Sequence, residues 1–279
     1  MSLFGIAAGD LAVLVGSMLA AGVASGVLAG MLGVGGGAVI VPVLYQLFTF
    51  LDVPDEVRMH LCVGTSLAVI IPTSIRSLMS HHRRGAVDFK ALRIWAVPVA
   101  VGTALGTLLA ALIPSAGLEL AFAVFGIVIG LQMLVLGTRT LKVRDDLPGP
   151  AGMSAYGLAI GLFSSLIGIG GGSLGNIVFA IHGRSMHQAV GTGAGLGLLI
   201  SVPGAIGFMI AGWPEMAILP PLSVGYVSAI GALLLAPVAM LTAPLGVRIA
   251  HGFSSRQLEI ALGTFLLLMG ARFLFGVLV

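Results

Sequence analysis

The chain has 279 residues, of which 58% are hydrophobic and 8% charged, and its mean hydropathy is +1.15. An ordinary soluble domain is about 25% charged, so the composition excludes one and calls for a membrane. Most basic residues behind the net charge of +3 sit in loops between apolar runs, where membrane topology accounts for them and nothing indicates nucleic-acid binding.

The start, MSLFGIAAGDLAVLVG, has no basic n-region and no clear cleavage site, and reads as a mature start. The first apolar segments cover about 11–32 and 38–50 and meet at GVGGG, residues 33–37. Three more follow at about 61–79, 91–113 and 117–137. The third holds Cys62, whose being the sole cysteine excludes an intrachain disulfide. TRTLKVRDDLPGP, residues 138–150, is a polar linker. Beyond it lie segments at about 153–167, 173–182, 190–211, 219–243 and 257–278. Runs of roughly this length predict membrane helices. The modest aromatic content and the lack of long two-residue alternation argue against a β-barrel.

The two sides of the linker resemble each other. GVGGG (33–37) returns as GIGGG (168–172), and HLCVGTS (60–66) as HQAVGTG (187–193). LELAFAVFGIVIGLQML (118–134) returns as LEIALGTFLLLMGARFL (258–274). The order is kept, at offsets of 135, 127 and 140 residues, which predicts a duplication. The expected division is a first repeat at 1–137, a cytoplasmic linker at 138–150 and a second repeat at 151–279. Corresponding loops switch sign. RSLMSHHRRGAVDFKALR (76–93) carries five basic residues, while its counterpart AGWPEMAILPP (211–221) carries none. Because Lys and Arg gather in cytoplasmic loops, the two halves are expected to be inverted, with 11 of the 13 basic residues inside. Inversion needs an odd number of crossings per half. Segments 1 and 2 of each half then form a hairpin that enters and leaves on one side, and both termini lie outside the cytoplasm. The expected fold is an all-α polytopic membrane protein of two inverted five-segment repeats, its glycine-broken hairpins meeting near the midplane.

Irregular backbone at membrane depth survives where it is packed in protein or lines a polar cavity. Consecutive main-chain N–H groups in a glycine turn make an anion-binding concavity, and a helix start after the turn adds its positive dipole end. The expected anion site is therefore Gly33, Gly35, Gly36 and Gly37 with Gly168, Gly170, Gly171 and Gly172. The plainer reading is a tight hairpin in which small residues merely permit packing. Thr65, Ser66 and Thr192 offer hydroxyls to an anion or to their own helices. Ser173 and Asn176 follow the second turn, Ser173 being also a candidate helix cap. Gln132 and Arg272 are equivalent positions in the last segments and are pathway candidates. Arg272 either lines the pathway or snorkels to the interface. His60 and His187 match across the repeat and are gating candidates or polar segment starts. Carboxylates lie at segment ends, and no His, Cys or acidic cluster has metal-ligand spacing.

LAGMLGVGGGAVIVPVL, GLFSSLIGIGGGSLGNI, the VGTS element and the loop HHRRGAVDF together resemble the TauE/SafE sulfite exporters, also called the 4-toluene sulfonate uptake permease family. The resemblance covers nearly the whole chain. It implies a bacterial inner-membrane carrier of sulfite, sulfonates or related sulfur-containing anions, usually assigned to export. Gly193 stands where the first half has Ser66, and Asn176 where it has Val41, which predicts an asymmetric site. The expected partners are the anion and the lipid bilayer, with no cofactor. A passive anion channel is the rival reading. GGSLG (171–175) formally matches GxSxG, but a hydrolase elbow needs a strand before the turn and a base in reach. No enzymatic activity is expected.

Overall fold

The computed structural model describes residues 8–32, 35–135, 146–249 and 254–278. The first half contributes α1 (Ala8–Leu32), α2 (Gly37–Phe50), α3 (Asp55–His82), α4 (Phe89–Leu112) and α5 (Ser115–Val135). The second contributes α6 (Pro150–Ile167), α7 (Gly172–Ile181), α8 (Met186–Ala211), α9 (Ala229–Ile249) and α10 (Ser255–Leu278). Residues 138–145 of the expected linker lie outside the described residues.

Among the described residues, seven helices are long and apolar enough to cross a membrane: α3, α4, α5, α6, α8, α9 and α10. Their outward faces agree. Val97, Val101, Leu105, Leu108 and Leu112 form an exposed apolar stripe along α4 at helical spacing. By contrast α2 has 14 residues and α7 has 10. At 1.5 Å per residue they reach about 21 and 15 Å, short of a ~30 Å hydrocarbon core.

Helix starts follow from local chemistry. Pro54, which has no N–H to leave orphaned, precedes α3, and Asp55 and Glu56 meet its positive dipole end. Asp88 Oδ1 accepts from Ala91 N at 3.0 Å to open α4, and Ser185 Oγ accepts from Gln188 N at 3.3 Å to open α8. The ninth segment differs from expectation. The apolar run 219–228 is not helical. Pro220 and Pro221 withhold two donors, and the chain makes a two-stranded hairpin, β1 (Ser223–Val224) and β2 (Val227–Ser228), before α9 starts at Ala229. Apolar content alone does not separate a packed hairpin from a helix turn.

Helix pairs approach through small residues, as close packing in lipid requires. Gly26 of α1 lies on Ala239 of α9, and Gly246 of α9 lies on Val27 of α1. In the same way Gly102 of α4 lies on Leu158 of α6, and Gly161 of α6 on Val99 of α4. A Cβ at any of these glycines would strike backbone. The long α3 and α8 cross the centre in opposite directions, with Gly64 against Phe208, Leu67 against Gly204 and Ser74 against Gly197. Helices α5 and α10 are also antiparallel, Gly130 facing Gly263 and Gly270 facing Ala123. The set of packed pairs is largely unchanged when helices 1–5 are exchanged with helices 6–10. The pair α1–α9 becomes α6–α4, α2–α3 becomes α7–α8, and α3–α9 becomes α8–α4.

Candidate functional site at the junction of two glycine turns

The two glycine turns come together. Gly36 caps α2 with φ 78° and Gly171 caps α7 with φ 68°, both in the left-handed region that favours glycine. Neither cap contributes a side-chain hydrogen bond, so the first N–H groups of α2 and α7 have no side-chain cap. A Cβ on Gly37 would overlap the carbonyl oxygen of Gly168, and one on Gly35 would stand 3.5 Å from Gly170 Cα. Gly35–Gly37 and Gly168–Gly172 are all buried. Gly33 lies outside the described residues.

Each turn folds back on the helix before it. Ser25 Oγ donates to Gly36 O at 3.3 Å, eleven residues later in the chain. Ile160 and Ser164 of α6 pack against Gly171, and Gly171 N donates to Ile169 O at 2.8 Å. The turns are thereby drawn to the middle of α3 and α8. Ser66 Oγ, near the centre of α3, donates to Gly168 O at 2.9 Å. Ile70 covers the first turn and Ile200 the second. Among the described residues, main-chain amides, a carbonyl and hydroxyls meet inside an apolar wall.

Ser74 adds a hydroxyl beyond those expected beside this junction. Ser66, Ile70, Ser74, Ser77 and His81 share one buried face of α3, at spacings of four, four, three and four. Ser74 lies against Gly197, beside Gly170 O. Ser201 stands one turn further along α8. The hydroxyls of Ser74, Ser77 and Ser201 are buried with no hydrogen-bond partner, a costly state for a polar group unless something else engages it. Sequence reading passes over such serines because a helical serine normally bonds its own backbone. The helical period running from Ser66 to the basic loop was the available signal.

Thr65, Thr192 and His60 have hydrogen-bond partners away from the glycine turns. Thr65 Oγ1 accepts from Ser228 N at 2.9 Å at the start of α9. Its equivalent Thr192 accepts from Asp88 N at 3.0 Å at the start of α4. Both threonines thus hold the N-terminus of the fourth helix of the other half. Ser173 and Asn176 are buried in the first turns of α7, and the cap there is Gly171 rather than Ser173. His60 is buried, its Nε2 within 3.0 Å of Ala110 O and its ring stacked on Tyr226. His187 is exposed at the start of α8, and Gln132 is half-buried near the end of α5.

Arg272 lines a cavity of about 770 Å³ at the end of the bundle where α2 and α10 finish. It donates to Gln46 Oε1 at 2.7 Å. Arg58, Tyr45 and Glu119 share the cavity wall. Arg58 is ion-paired to Asp55 and lies 5.5 Å over the Tyr45 ring. Among the described residues no group of His, Cys, Asp and Glu is arranged to hold a metal ion.

Several proteins of known sequence are similar to this chain. A probable membrane transporter protein of Haemophilus influenzae is 32% identical over 228 residues, covering 82% of this chain and 86% of that protein. One from Methanocaldococcus jannaschii is 29% identical, covering 88% and 90%. The probable membrane transporter protein YunE of Bacillus subtilis is 28% identical, covering 91% and 95%. No solved structure matches the chain significantly. Residues 18–273 match the family described as sulfite exporter TauE/SafE. The chain is a member of the TauE/SafE sulfite exporter family of membrane transporters.

Proposed function

We propose that this protein carries a small sulfur-containing anion, sulfite or an organosulfonate, out of the cell across the bacterial inner membrane by alternating access around the two glycine turns. The observation that carries the reading is the meeting of Gly35–Gly37 with Gly168–Gly172 beside Ser66, at the middle of two oppositely directed helices. The antiparallel run of α3 against α8 and of α5 against α10 supports inverted halves, an arrangement common in secondary transporters, which bind at the repeat interface. The uncapped starts of α2 and α7 favour negative charge without a buried cation. Ser74 and Ser201 supply hydroxyl donors to sulfonate oxygens. The closed packing corresponds to an occluded state. Rocking of one helix group against the other opens it to either side, and the cavity at Arg272 is the outer vestibule.

Glu119 and Glu259 are buried but stand within the first turns of α5 and α10, away from mid-span. The reading therefore uses no carboxylate relay. The membrane potential, negative inside, favours anion exit by about 2.3 kcal/mol per charge at 100 mV.

The test is a thermal-shift series on purified protein with sulfite, thiosulfate, sulfoacetate and sulfate, followed by counterflow of the best ligand in proteoliposomes. A bound anion raises the midpoint in proportion to ln(1 + [L]/Kd), and counterflow separates a carrier from a channel. A flat series with no counterflow by any of the four overturns the proposal.

A further inference from the structure

Where α3 and α9 end side by side, a second cavity of about 280 Å³ is lined by Arg76, Arg83, Arg84 and Arg248 together with Met79 and Pro244. Arg84 ties the two helices together by donating to Val247 O at 3.0 Å. Arg76 Nε is buried with no hydrogen-bond partner. Among the described residues none of the four guanidinium groups is ion-paired. Four cations around so small a volume repel one another, and an anion placed among them removes that cost.

The surface leading to the cavity identifies the anion's carrier. On α3, Ile75 and Met79 are exposed and precede Arg83 at four-residue steps. On α9, Leu241 and Leu245 are exposed and precede Arg248 on the same face. Two apolar stripes thus run along the bilayer-facing side of the helix pair and end at the arginines. A free inorganic anion needs no apolar approach. A phospholipid needs both parts, because its acyl chains lie along the stripes while its phosphate reaches the guanidinium groups. Basic pockets between membrane helices hold anionic headgroups in this manner, and guanidinium matches phosphate geometry bidentately.

We infer that this arginine cavity binds the phosphate headgroup of an anionic phospholipid from the surrounding leaflet. It is distinct from the glycine-turn junction and does not depend on which solute crosses there.

Native mass spectrometry of the purified full chain tests this, with dioleoylphosphatidylglycerol and dioleoylphosphatidylcholine added in equal amounts. The expected result is an adduct with the anionic lipid that outlasts the zwitterionic one under activation. In R76Q/R248Q that preference falls by about thirtyfold, the weight of two basic side chains at a charged leaflet. R76K/R248K keeps the charge and retains most of the preference. Millimolar inorganic phosphate leaves the adduct in place. Equal retention of both lipids by the native chain, which needs no variant, overturns the inference. So does an R76Q/R248Q protein with unchanged preference, or displacement by inorganic phosphate, which would mark a free-anion site.

Discussion

The carbonyl oxygen of Gly168 occupies the space that a side chain on Gly37 would need. Gly37 belongs to the first half of the chain and Gly168 to the second, so this contact is one of those that join the two turns. Gly37→Ala tests it without the complication of a positive φ, since Gly37 is already helical. Overpacking of this kind costs about 1–3 kcal/mol. The expected outcome is folded, monodisperse protein with a lowered thermal midpoint and transport reduced to background in proteoliposomes. Gly16→Ala, which meets nothing within 4 Å, should leave both unchanged.

Ser66 and Ser74 lie on one face of α3 yet should respond differently to truncation. Ser66→Ala strips the donor from a buried carbonyl, Gly168 O, and should cost about 1–2 kcal/mol of stability as well as anion affinity. Ser74→Ala removes a hydroxyl that has no partner, so stability should hold or rise. Its anion affinity should still fall about tenfold, the weight of one hydrogen bond to a charged group. Thermal melts with and without ligand separate the two effects. A Ser74→Ala protein of unchanged affinity would remove that serine from the site.

Thr65 and Thr192 perform the same task in opposite halves, each accepting a main-chain N–H at the start of a fourth helix. Thr65→Val and Thr192→Val should each lower stability by about 1–2 kcal/mol, and leave the anion dissociation constant within twofold. A large loss of affinity at unchanged stability would return these residues to the binding site.

Inversion of the halves is testable through loops that correspond in the repeat. Lys90 and Glu215 are both exposed, on opposite sides of the duplicated pattern. Cys62 is buried and should give little background. Lys90→Cys and Glu215→Cys should react with a membrane-impermeant maleimide from opposite faces, Glu215→Cys from outside intact cells. Labelling of both from one face contradicts an inverted arrangement.

The glycine turns were legible because four glycines in five residues conflict with the helix around them, and they do so twice. The helices were legible from apolar length. The start of α9 was not, because the run before it is equally apolar and its hairpin is held by long-range contacts, such as Ser228 N to Thr65. Ser66 was legible as a hydroxyl beside a repeated motif. Ser74 and Ser201 were not, since their placement depends on α3 meeting α8, well over a hundred residues apart in the chain. Arg272 has two possible roles in the sequence alone for the same reason. Its partner Gln46 is 226 residues away, and the cavity they share exists after α2 and α10 have packed.

The most direct measurement is a structure of the protein determined with sulfite bound. The anion is expected between Gly35–Gly37 and Gly168–Gly172, held by first-turn N–H groups of α2 and α7 and by the hydroxyls of Ser66 and Ser74, with the two turns moved apart. Sulfite held elsewhere, with Gly37 still closed on Gly168 and both turns sealed by Ile70 and Ile200, would contradict it.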